Sequence, residues 1–161
     1  MAVDKNKAMI DYLITCPSLA PFKLFFNFGV AADNNKQLMT SAQDVNTNTN
    51  YVDGSVGKRY SITIVDFKSV GYNAIIKQEG YQDENVSEIL EVQNIIDWIS
   101  EQEDLRNYPD FGPDCEIESI YTDRNSPNLQ QVDTSVTPAL ALYGVTIVVD
   151  YIDTSKSTWN K

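Results

Sequence analysis

Two carboxylates with helical spacing are the residues of this sequence best placed for acid–base chemistry. Asp97 and Glu101 lie four positions apart, so a helix would carry both on one face. A catalytic pair of carboxylates needs surroundings that separate the two pKa values. The apolar residues of the same segment fall on its opposite side, so we expect both acids to be equally solvated. We interpret them as surface residues and predict that the protein is not an enzyme.

A run of alternating oxygen-bearing side chains could bind calcium. Asp44, Asn46 and Asn48 fit the first, third and fifth positions of a calcium-binding loop. The sixth position of such a loop is a glycine that allows a sharp turn, and the twelfth is a bidentate glutamate. Thr49 and Ser55 occupy those two positions here. The loop lacks the residues that would close it around an ion, and we predict no metal site.

Most other chemistry is excluded by residue types that are missing. The 161 residues include no histidine, which excludes Ser–His and Cys–His nucleophile pairs and imidazole-bound zinc. The two cysteines, Cys16 and Cys115, are expected to be reduced and packed as small apolar groups. Gly54 and Gly57 form only a Gly-x-x-Gly pair in a turn, unlike a loop that cradles phosphate. The sequence therefore predicts no cofactor.

Charge is distributed unevenly along the chain. The net charge is −11, from 12 Lys and Arg against 23 Asp and Glu. Residues 1–80 hold eight basic and seven acidic side chains, whereas residues 81–161 hold four and sixteen, concentrated between Asp83 and Glu118. Such a composition argues against a protein that grips phosphate backbones. The acidic segment is either a solvated face that maintains solubility, or a negative surface that repels polyanions or meets a basic partner.

Two helices are predicted from apolar residues at helical spacing. The first runs from Asp4, a capping residue, to Cys16, where Pro17 prevents continuation. The second begins at Asn85, with Glu88 three positions later in a capping-box arrangement. Its apolar stripe consists of Ile89, Val92, Ile96 and Ile99. Its opposite face carries Asp97, Glu101 and Asp104.

Strands are predicted where apolar residues alternate with polar ones. They span Phe22–Phe28, Arg59–Phe67, Cys115–Tyr121 and Leu140–Ile152. Ala31–Asn50 is predicted to be a polar loop, with at most a short strand at Lys36–Ser41, and Thr154–Lys161 a loose polar tail. The order of elements predicts an α+β fold: a single domain with a mostly antiparallel or mixed sheet and two helices packed on one face. This domain spans residues 1–152, and the tail spans residues 153–161.

Aromatic residues and the lack of long apolar runs bear on the environment of the protein. There are nine Tyr, six Phe and two Trp, which could fill a core or form an interface, and composition leaves both open. No apolar stretch reaches the roughly 20 residues that span a bilayer. Met1–Lys5 lacks the apolar core of a signal peptide. We therefore expect a soluble, cytoplasmic protein.

Four groups of short motifs occur in an order and spacing that resemble a known family. They are Ile10-Asp11-Tyr12-Leu13 with Cys16-Pro17; Tyr51-Val52-Asp53-Gly54-Ser55 with Arg59-Tyr60-Ser61-Ile62; Trp98-Ile99-Ser100-Glu101-Gln102 followed by Tyr108-Pro109-Asp110-Phe111-Gly112; and Val148-Val149-Asp150-Tyr151. In the second group, the family-like turn motif consists of Tyr51, Asp53, Gly54 and Arg59. From Asn6 to Ile152 the chain is similar to the tail-terminator, or tail-completion, proteins of long-tailed bacteriophages and prophages of Gram-positive bacteria, also known as phage minor capsid proteins.

This resemblance implies a structural virion protein. Its subunits would form a ring, a hexamer by analogy, at the head-proximal end of the tail tube, where they stop tube growth and join the tail to the head. Its partners would be copies of itself, the tail tube protein and the head–tail connector protein, while DNA passes through without specific binding. It would be assembled in the bacterial host cytoplasm without a membrane or a cofactor. Asp97, Glu101 and Asp104 would then line the channel or its rim.

A second class of function fits the same residues. The chain could be a stand-alone α+β adaptor or binding module whose acidic helix docks a basic partner. The ring hypothesis, in contrast, requires that one patch of each subunit contacts a different patch of its neighbour. The near-neutral first half and the acidic second half of the chain could supply such unlike patches. An adaptor stays monomeric, so light scattering over a range of concentrations separates the two hypotheses.

Overall fold

The computed structural model of the chain describes residues 3–19, 23–26, 37–69, 86–124, 128–133 and 140–159. These residues form two helices and six strands. The helices are α1 (Lys5–Leu13) and α2 (Val86–Leu105). The strands are β1 (Lys23–Phe26), β2 (Gln37–Asn50), β3 (Val56–Ser69), β4 (Cys115–Thr122), β5 (Asn128–Asp133) and β6 (Leu140–Asp153). In the described part of the chain, neither helix combines the length and hydropathy needed to cross a membrane.

All six strands belong to one sheet with the order β1-β2-β3-β6-β4, and β5 pairs with β6 beside β4. The β1–β2 pair is parallel and the other pairs are antiparallel. The longest ladder joins β3 to β6, from the pair Val56 and Asp153 to the pair Ser69 and Leu140. The predicted α+β class with a mostly antiparallel or mixed sheet is confirmed.

The core lies between the sheet and both helices. Alternate residues of the central strands are buried and face the helices, as their period of two predicts. They are Tyr60, Ile62 and Ile64 of β3 and Tyr143, Val145, Ile147, Val149 and Tyr151 of β6. In the same cluster, α1 contributes Met9, Tyr12 and Leu13, and α2 contributes Val92, Ile95, Ile96 and Ile99. Both helices therefore pack on one face of the sheet, as predicted.

The ends of the helices are stabilised by local hydrogen bonds. The Asp4 carboxylate caps α1 by accepting from the backbone N–H groups of Asn6 and Lys7 at 3.0 and 3.2 Å. After α2, Arg106 has a φ of 52° and the Asn107 N–H donates to the Gln102 carbonyl at 3.0 Å, which closes the helix as a Schellman motif. The predicted cap at Asp4 is confirmed; the one at Asn85 lies outside the described residues.

The prediction of a loop over the Asn/Thr-rich segment is wrong, because β2 continues to Asn50. It pairs with β3 from Leu38 onward, with one irregularity between Asn46 and Asn50 where Asn48 has a φ of 61°. The opposing residue, Gly57, leaves room for this bulge, since a Cβ there would lie 2.7 Å from the Thr47 hydroxyl oxygen. Asparagine tolerates this conformation better than most residues, so a composition typical of loops here forms a strand with a bulge. Residues 31–36 of the predicted loop lie outside the described residues.

Two further strands differ from the sequence-based expectations. β5 was not predicted, and it pairs with β6 through an irregular register between Leu129 and Gln131. A six-residue strand with Asn, Gln and Asp side chains carries little apolar alternation, so its pairing depends on the edge that β6 offers. Of the predicted strand Phe22–Phe28, Lys23–Phe26 is a strand and the rest lies outside the described residues.

Candidate functional site

The family-like turn motif forms a tight connection between β2 and β3. The N–H of Tyr51 donates to the Ser55 carbonyl at 2.9 Å, and the N–H of Gly54 donates to the Tyr51 carbonyl at 3.1 Å. Gly54 has a φ of 92°, a conformation that glycine adopts without strain. The Asp53 carboxylate accepts from the Ser55 N–H at 3.1 Å and from the Ser55 hydroxyl at 2.7 Å. The sequence identified this turn correctly because its determinants are local.

The segment after β6 packs on this turn, so the prediction of a loose tail is wrong for Thr154–Trp159. The Ser157 hydroxyl donates to the Asp53 carboxylate at 2.6 Å, and the Thr158 N–H donates to the Asp53 carbonyl at 2.8 Å. Ser157 is only 2% exposed. The polar side chains that suggested solvation satisfy hydrogen bonds of the turn instead.

Asp53 therefore connects two segments that are distant in sequence. Hydrogen bonds from Ser157 and then from Ser55 hold the pKa of its carboxyl below the usual range. The contact is close, because a Cβ at Gly54 would lie 2.8 Å from the carbonyl oxygen of Lys156. At this position glycine is required both by the positive φ and by the approach of the C-terminal segment.

An exposed apolar surface surrounds this junction. Val52 is 96% exposed, Trp159 74% and Tyr51 39%, and Ile152 of β6 lies beside them. We call Tyr51, Val52, Ile152 and Trp159 the turn patch; they line a groove of about 330 Å³. Sequence analysis found the turn but not the patch. The signal that pointed to it was a tryptophan within an otherwise polar segment.

Arg59, the fourth residue of the family-like motif, has a separate role. Its side chain lies on the sheet face opposite the helices, where Nε and a terminal guanidinium nitrogen donate to the two Asp150 carboxylate oxygens at 2.7 and 3.2 Å. This pairing raises the pKa of Arg59. The Tyr121 hydroxyl also donates to Asp150 at 3.1 Å. The arrangement is a cross-strand contact between β3, β6 and β4.

The predicted channel or rim acids Asp97, Glu101 and Asp104 all lie on the exposed side of α2. The Asp97 carboxylate accepts a hydrogen bond from the Gln93 amide at 2.9 Å. The neighbouring Glu103 points toward the sheet instead and accepts from the backbone N–H of Ile120 on β4 at 2.7 Å. The predicted solvated face is thus present, and its function stays a prediction.

The residues considered for metal binding and for thiol chemistry serve the fold. The Asp44 carboxylate accepts from the Tyr151 hydroxyl at 2.8 Å and contacts the Lys5 ammonium at 3.3 Å. Within the described ranges, no group of three or more His, Cys, Asp or Glu side chains could hold a metal ion. Burial raises the pKa of the Cys16 thiol and that of Cys115, which favours the uncharged form.

A second concave surface lies on the helix side of the sheet. The α1 groove, about 440 Å³, is formed by α1 and by the loop at Tyr108–Asp110. Its apolar lining includes Val3, Ala8 and Pro109. Its charged groups are Asp4, Lys7, Asp11 and Asp110. The Lys7 ammonium pairs with Asp11 at 2.7 Å, and the resulting balance in the groove is negative.

The chain matches no protein-family model and no curated protein. Its function is therefore argued from its own residues and surfaces. The described residues include hydrogen-bonding groups that stabilise the turn, exposed apolar side chains around it, and, separately, a solvated row of acids on α2.

Proposed function

We propose that this chain is a structural subunit of a phage tail terminator. In this proposal, identical copies form a ring, a hexamer by analogy, at the head-proximal end of the tail tube. The ring stops tube growth and joins the tail to the head–tail connector protein. The observation that carries the proposal is the presence of unlike surfaces on one small domain: the apolar turn patch and the acidic outer face of α2.

Unlike surfaces are what a closed ring requires. In a cyclic assembly each subunit uses one patch to contact a different patch on its neighbour. The turn patch provides exposed aromatic and aliphatic side chains, which are favoured at the centres of protein interfaces. The acids of α2 would discourage close contact with another acidic surface, and so they favour a position on the channel or its rim.

The acidic face also suits a conduit for DNA. A row of carboxylates repels phosphates over about 8 to 10 Å at physiological salt. Asp97, Glu101 and Asp104 would keep the genome from adhering as it passes. DNA is thus a passing cargo in this proposal and not a bound ligand.

The use of the polar side chains supports a structural role over a catalytic one. Asp53, Asp44 and Asp150 each accept hydrogen bonds from Ser or Tyr hydroxyls of the fold. Glu103 accepts from a backbone N–H of β4. These groups are occupied in holding the sheet, the turn and the helices together.

The decisive experiment is electron microscopy of tail tubes assembled with and without the protein. We expect a ring of density at the head-proximal end and tails of uniform length when the protein is present. Without it, tubes should grow past that length and fail to join heads. Tubes of the same length and appearance in both preparations would overturn the proposal, as would binding of the protein along the tube without an end ring.

A further inference from the structure

The pair Asp53-Gly54 combines a side chain and a backbone nitrogen that can react with each other. Seven glycines occur in the chain, and this is the only one that follows an aspartate or an asparagine. A backbone nitrogen can attack the side-chain carboxyl carbon of a preceding aspartate, because the two atoms close a five-membered ring. Glycine favours the attack, since it has no Cβ to obstruct the approach. By its sequence, Asp53 is thus the aspartate of this chain most disposed to isomerise.

The reaction needs no reagent other than water. The Gly54 nitrogen forms a bond to the carboxyl carbon of Asp53, and its proton leaves with the carboxyl hydroxyl group as water. The product is a cyclic imide. Water then breaks one of the two bonds from a carbonyl carbon to the nitrogen, with its hydroxyl joining the carbon and its proton the nitrogen. Cleavage at the side-chain carbonyl restores aspartate, whereas cleavage at the main-chain carbonyl yields isoaspartate, in which the backbone runs through the former side chain.

The folded turn opposes the first step at both reacting groups. The Gly54 N–H donates to the Tyr51 carbonyl at 3.1 Å, which holds the attacking nitrogen in a hydrogen bond. The Asp53 carboxylate accepts from the Ser55 N–H at 3.1 Å and from its hydroxyl at 2.7 Å. It also accepts from the Ser157 hydroxyl at 2.6 Å. These donors favour the ionised carboxylate, whereas the reactive form is the acid, whose hydroxyl can leave as water.

One of these restraints comes from outside the turn. Ser157 belongs to the C-terminal segment after β6, which also donates the Thr158 N–H to the Asp53 carbonyl at 2.8 Å. The same segment packs directly on the turn, because a Cβ at Gly54 would lie 2.8 Å from the Lys156 carbonyl oxygen. A short segment outside the sheet can detach without unfolding the sheet, and such local opening requires less free energy than global unfolding. Its detachment removes the shortest hydrogen bond to the carboxylate.

We infer that Asp53 is a site of covalent isomerisation, and that docking of the C-terminal segment sets the rate of the reaction. While the segment is docked, Ser157 holds the carboxylate; when it detaches, the imide forms. Isoaspartate transfers a methylene carbon from the side chain to the backbone, so its carboxylate no longer reaches the Ser157 hydroxyl. The modification therefore prevents the segment from docking again. This inference concerns the turn of a single subunit and does not depend on the proposed function.

Isomerisation is measured by incubating the protein in mildly acidic buffer and analysing its tryptic peptide, residues 37–58. Electron-transfer fragmentation distinguishes isoaspartate from aspartate, which has the same mass. The peptide also contains Asp44, which precedes the β-branched Val45 and therefore provides an internal reference. The parent unfolded in urea gives the rate of the unrestrained sequence. Asp53→Glu is the chemical control, because its longer side chain would have to close a six-membered ring.

Two variants detach the C-terminal segment by different means. Ser157→Ala removes the hydroxyl that donates to the Asp53 carboxylate, and Thr158→Pro removes the N–H that donates to the Asp53 carbonyl. Ser100→Ala, at an exposed serine of α2, is the matched control. Circular dichroism and thermal melting establish that every variant is folded. Hydrogen exchange at the Thr158 N–H of the parent, Ser157→Ala and Ser100→Ala measures the opening of the segment independently.

We expect the folded parent to isomerise more slowly than the parent in urea, with Asp53 and not Asp44 as the modified residue. Ser157→Ala and Thr158→Pro should accelerate the reaction by about five- to tenfold, the change in opening that the loss of a hydrogen bond produces. Because isomerisation and exchange proceed through the same opening, Ser157→Ala should accelerate both by the same factor. Ser100→Ala should match the parent, and Asp53→Glu should not react at this site.

The inference fails if the folded parent isomerises as fast as the chain in urea, since the turn then gives no protection. It fails equally if either segment variant, while folded, reacts at the parent's rate. Urea below the unfolding transition applies the same test to the parent without a variant, because isomerisation must rise in parallel with exchange at the Thr158 N–H. A purified isoaspartate form that protects this N–H as well as the parent does would show that docking survives the modification, which contradicts the inference.

Discussion

The β2–β3 turn and the outer face of α2 both carry acidic side chains, but they use them in opposite ways. Asp53 accepts hydrogen bonds from Ser55 and Ser157, so its negative charge is stabilised by partners within the fold. The exposed acids of α2, by contrast, form no ion pair among the described residues: Asp97, Glu101 and Asp104. The partners of a carboxylate therefore reveal more about its role than its charge does.

The same two regions also differ in how they treat apolar side chains. α2 buries Val92, Ile95 and Ile99 against the sheet, whereas the turn leaves Val52 and Trp159 in solvent. The turn is thus a rigid, apolar surface suited to short-range contact, and the helix face is a charged surface that acts over a longer distance. Mutations of the residues that hold the turn, such as Gly54, should lower stability, and mutations of its exposed apolar residues should weaken association. Mutations on the helix face should change neither.

The largest expected effect is at Gly54. Gly54→Ala should lower the free energy of unfolding by about 2 to 3 kcal/mol, because a Cβ is strained at this φ and approaches the Lys156 carbonyl. Urea denaturation measures the loss. Val52→Ala, in the same turn but 96% exposed, is the control and should change stability by less than about 0.5 kcal/mol. Equal stability of the two variants would contradict the tight packing of the C-terminal segment.

A smaller effect is expected at Ser157. Ser157→Ala removes a buried hydroxyl from the Asp53 carboxylate and should cost about 1 kcal/mol. It should also speed hydrogen exchange at the Thr158 N–H, which donates to the Asp53 carbonyl. Ser100→Ala, at an exposed serine of α2, is the control and should lower neither the stability nor the exchange protection of the Thr158 N–H. Unaltered exchange in Ser157→Ala would show that the C-terminal segment is not held to the turn by this hydrogen bond.

Acid should weaken the β2–β3 turn and the nearby end of β6. The hydroxyls of Ser157 and Ser55 lower the pKa of Asp53 from its ordinary value of about 3.9. A pKa that is lowered by folding contributes stability above the unfolded value, and this contribution is lost as pH falls toward the folded value. For Asp153, hydrogen bonds from Lys58 and Ser155 outweigh burial and lower the pKa to about 2.

The midpoint of thermal unfolding should therefore fall as pH decreases from about 4 to about 2. Asp53→Asn should show a shallower decline, and the remaining slope should reflect Asp153. The measurement is differential scanning calorimetry across this pH range. A variant with the parent's full slope would mean that Asp53 does not contribute to the acid response.

The smallest effect on stability is expected on α2, together with the clearest effect on DNA passage. Replacing Asp97, Glu101 and Asp104 by Lys changes three exposed positions, each of which should alter stability by less than about 0.5 kcal/mol. If these acids line the channel, the variant attracts phosphate, and DNA ejection should slow most at low salt while tail length stays normal. Unchanged ejection at low salt would leave the acids as solubility residues.

The sequence was sufficient where the determinants of structure are local. Tyr60, Ile62 and Ile64 alternate with polar residues, and this pattern correctly placed β3 and its buried face. The apolar spacing of Val92, Ile96 and Ile99 correctly oriented α2. The turn at Gly54 was equally predictable, because positive φ and small polar side chains are features of a few neighbouring residues.

The sequence was insufficient where the structure depends on residues that are distant along the chain. The Asn/Thr-rich part of β2 resembles a loop, and it forms a strand because β3 offers an edge and Gly57 leaves space for its bulge. Ser157 resembles a tail residue, and it is buried because it contacts Asp53, a residue 104 positions away in sequence. The position of Trp159, and hence the turn patch, follows from that contact, and the tryptophan within a polar segment is its local sign in the sequence.

The position of β6 in the sheet has a kinetic consequence. β6 pairs with β3, β4 and β5, and the paired residues of β3 and β6 are separated by about half of the chain length. The β2–β3 hairpin can form from local contacts within about 1 to 10 µs. The apolar edge of β3 stays unpaired until β6 pairs with it. Long-range pairing of this kind slows folding, and an unpaired apolar edge recruits other chains. Refolding yield should therefore decrease as protein concentration rises, with aggregation beginning at β3.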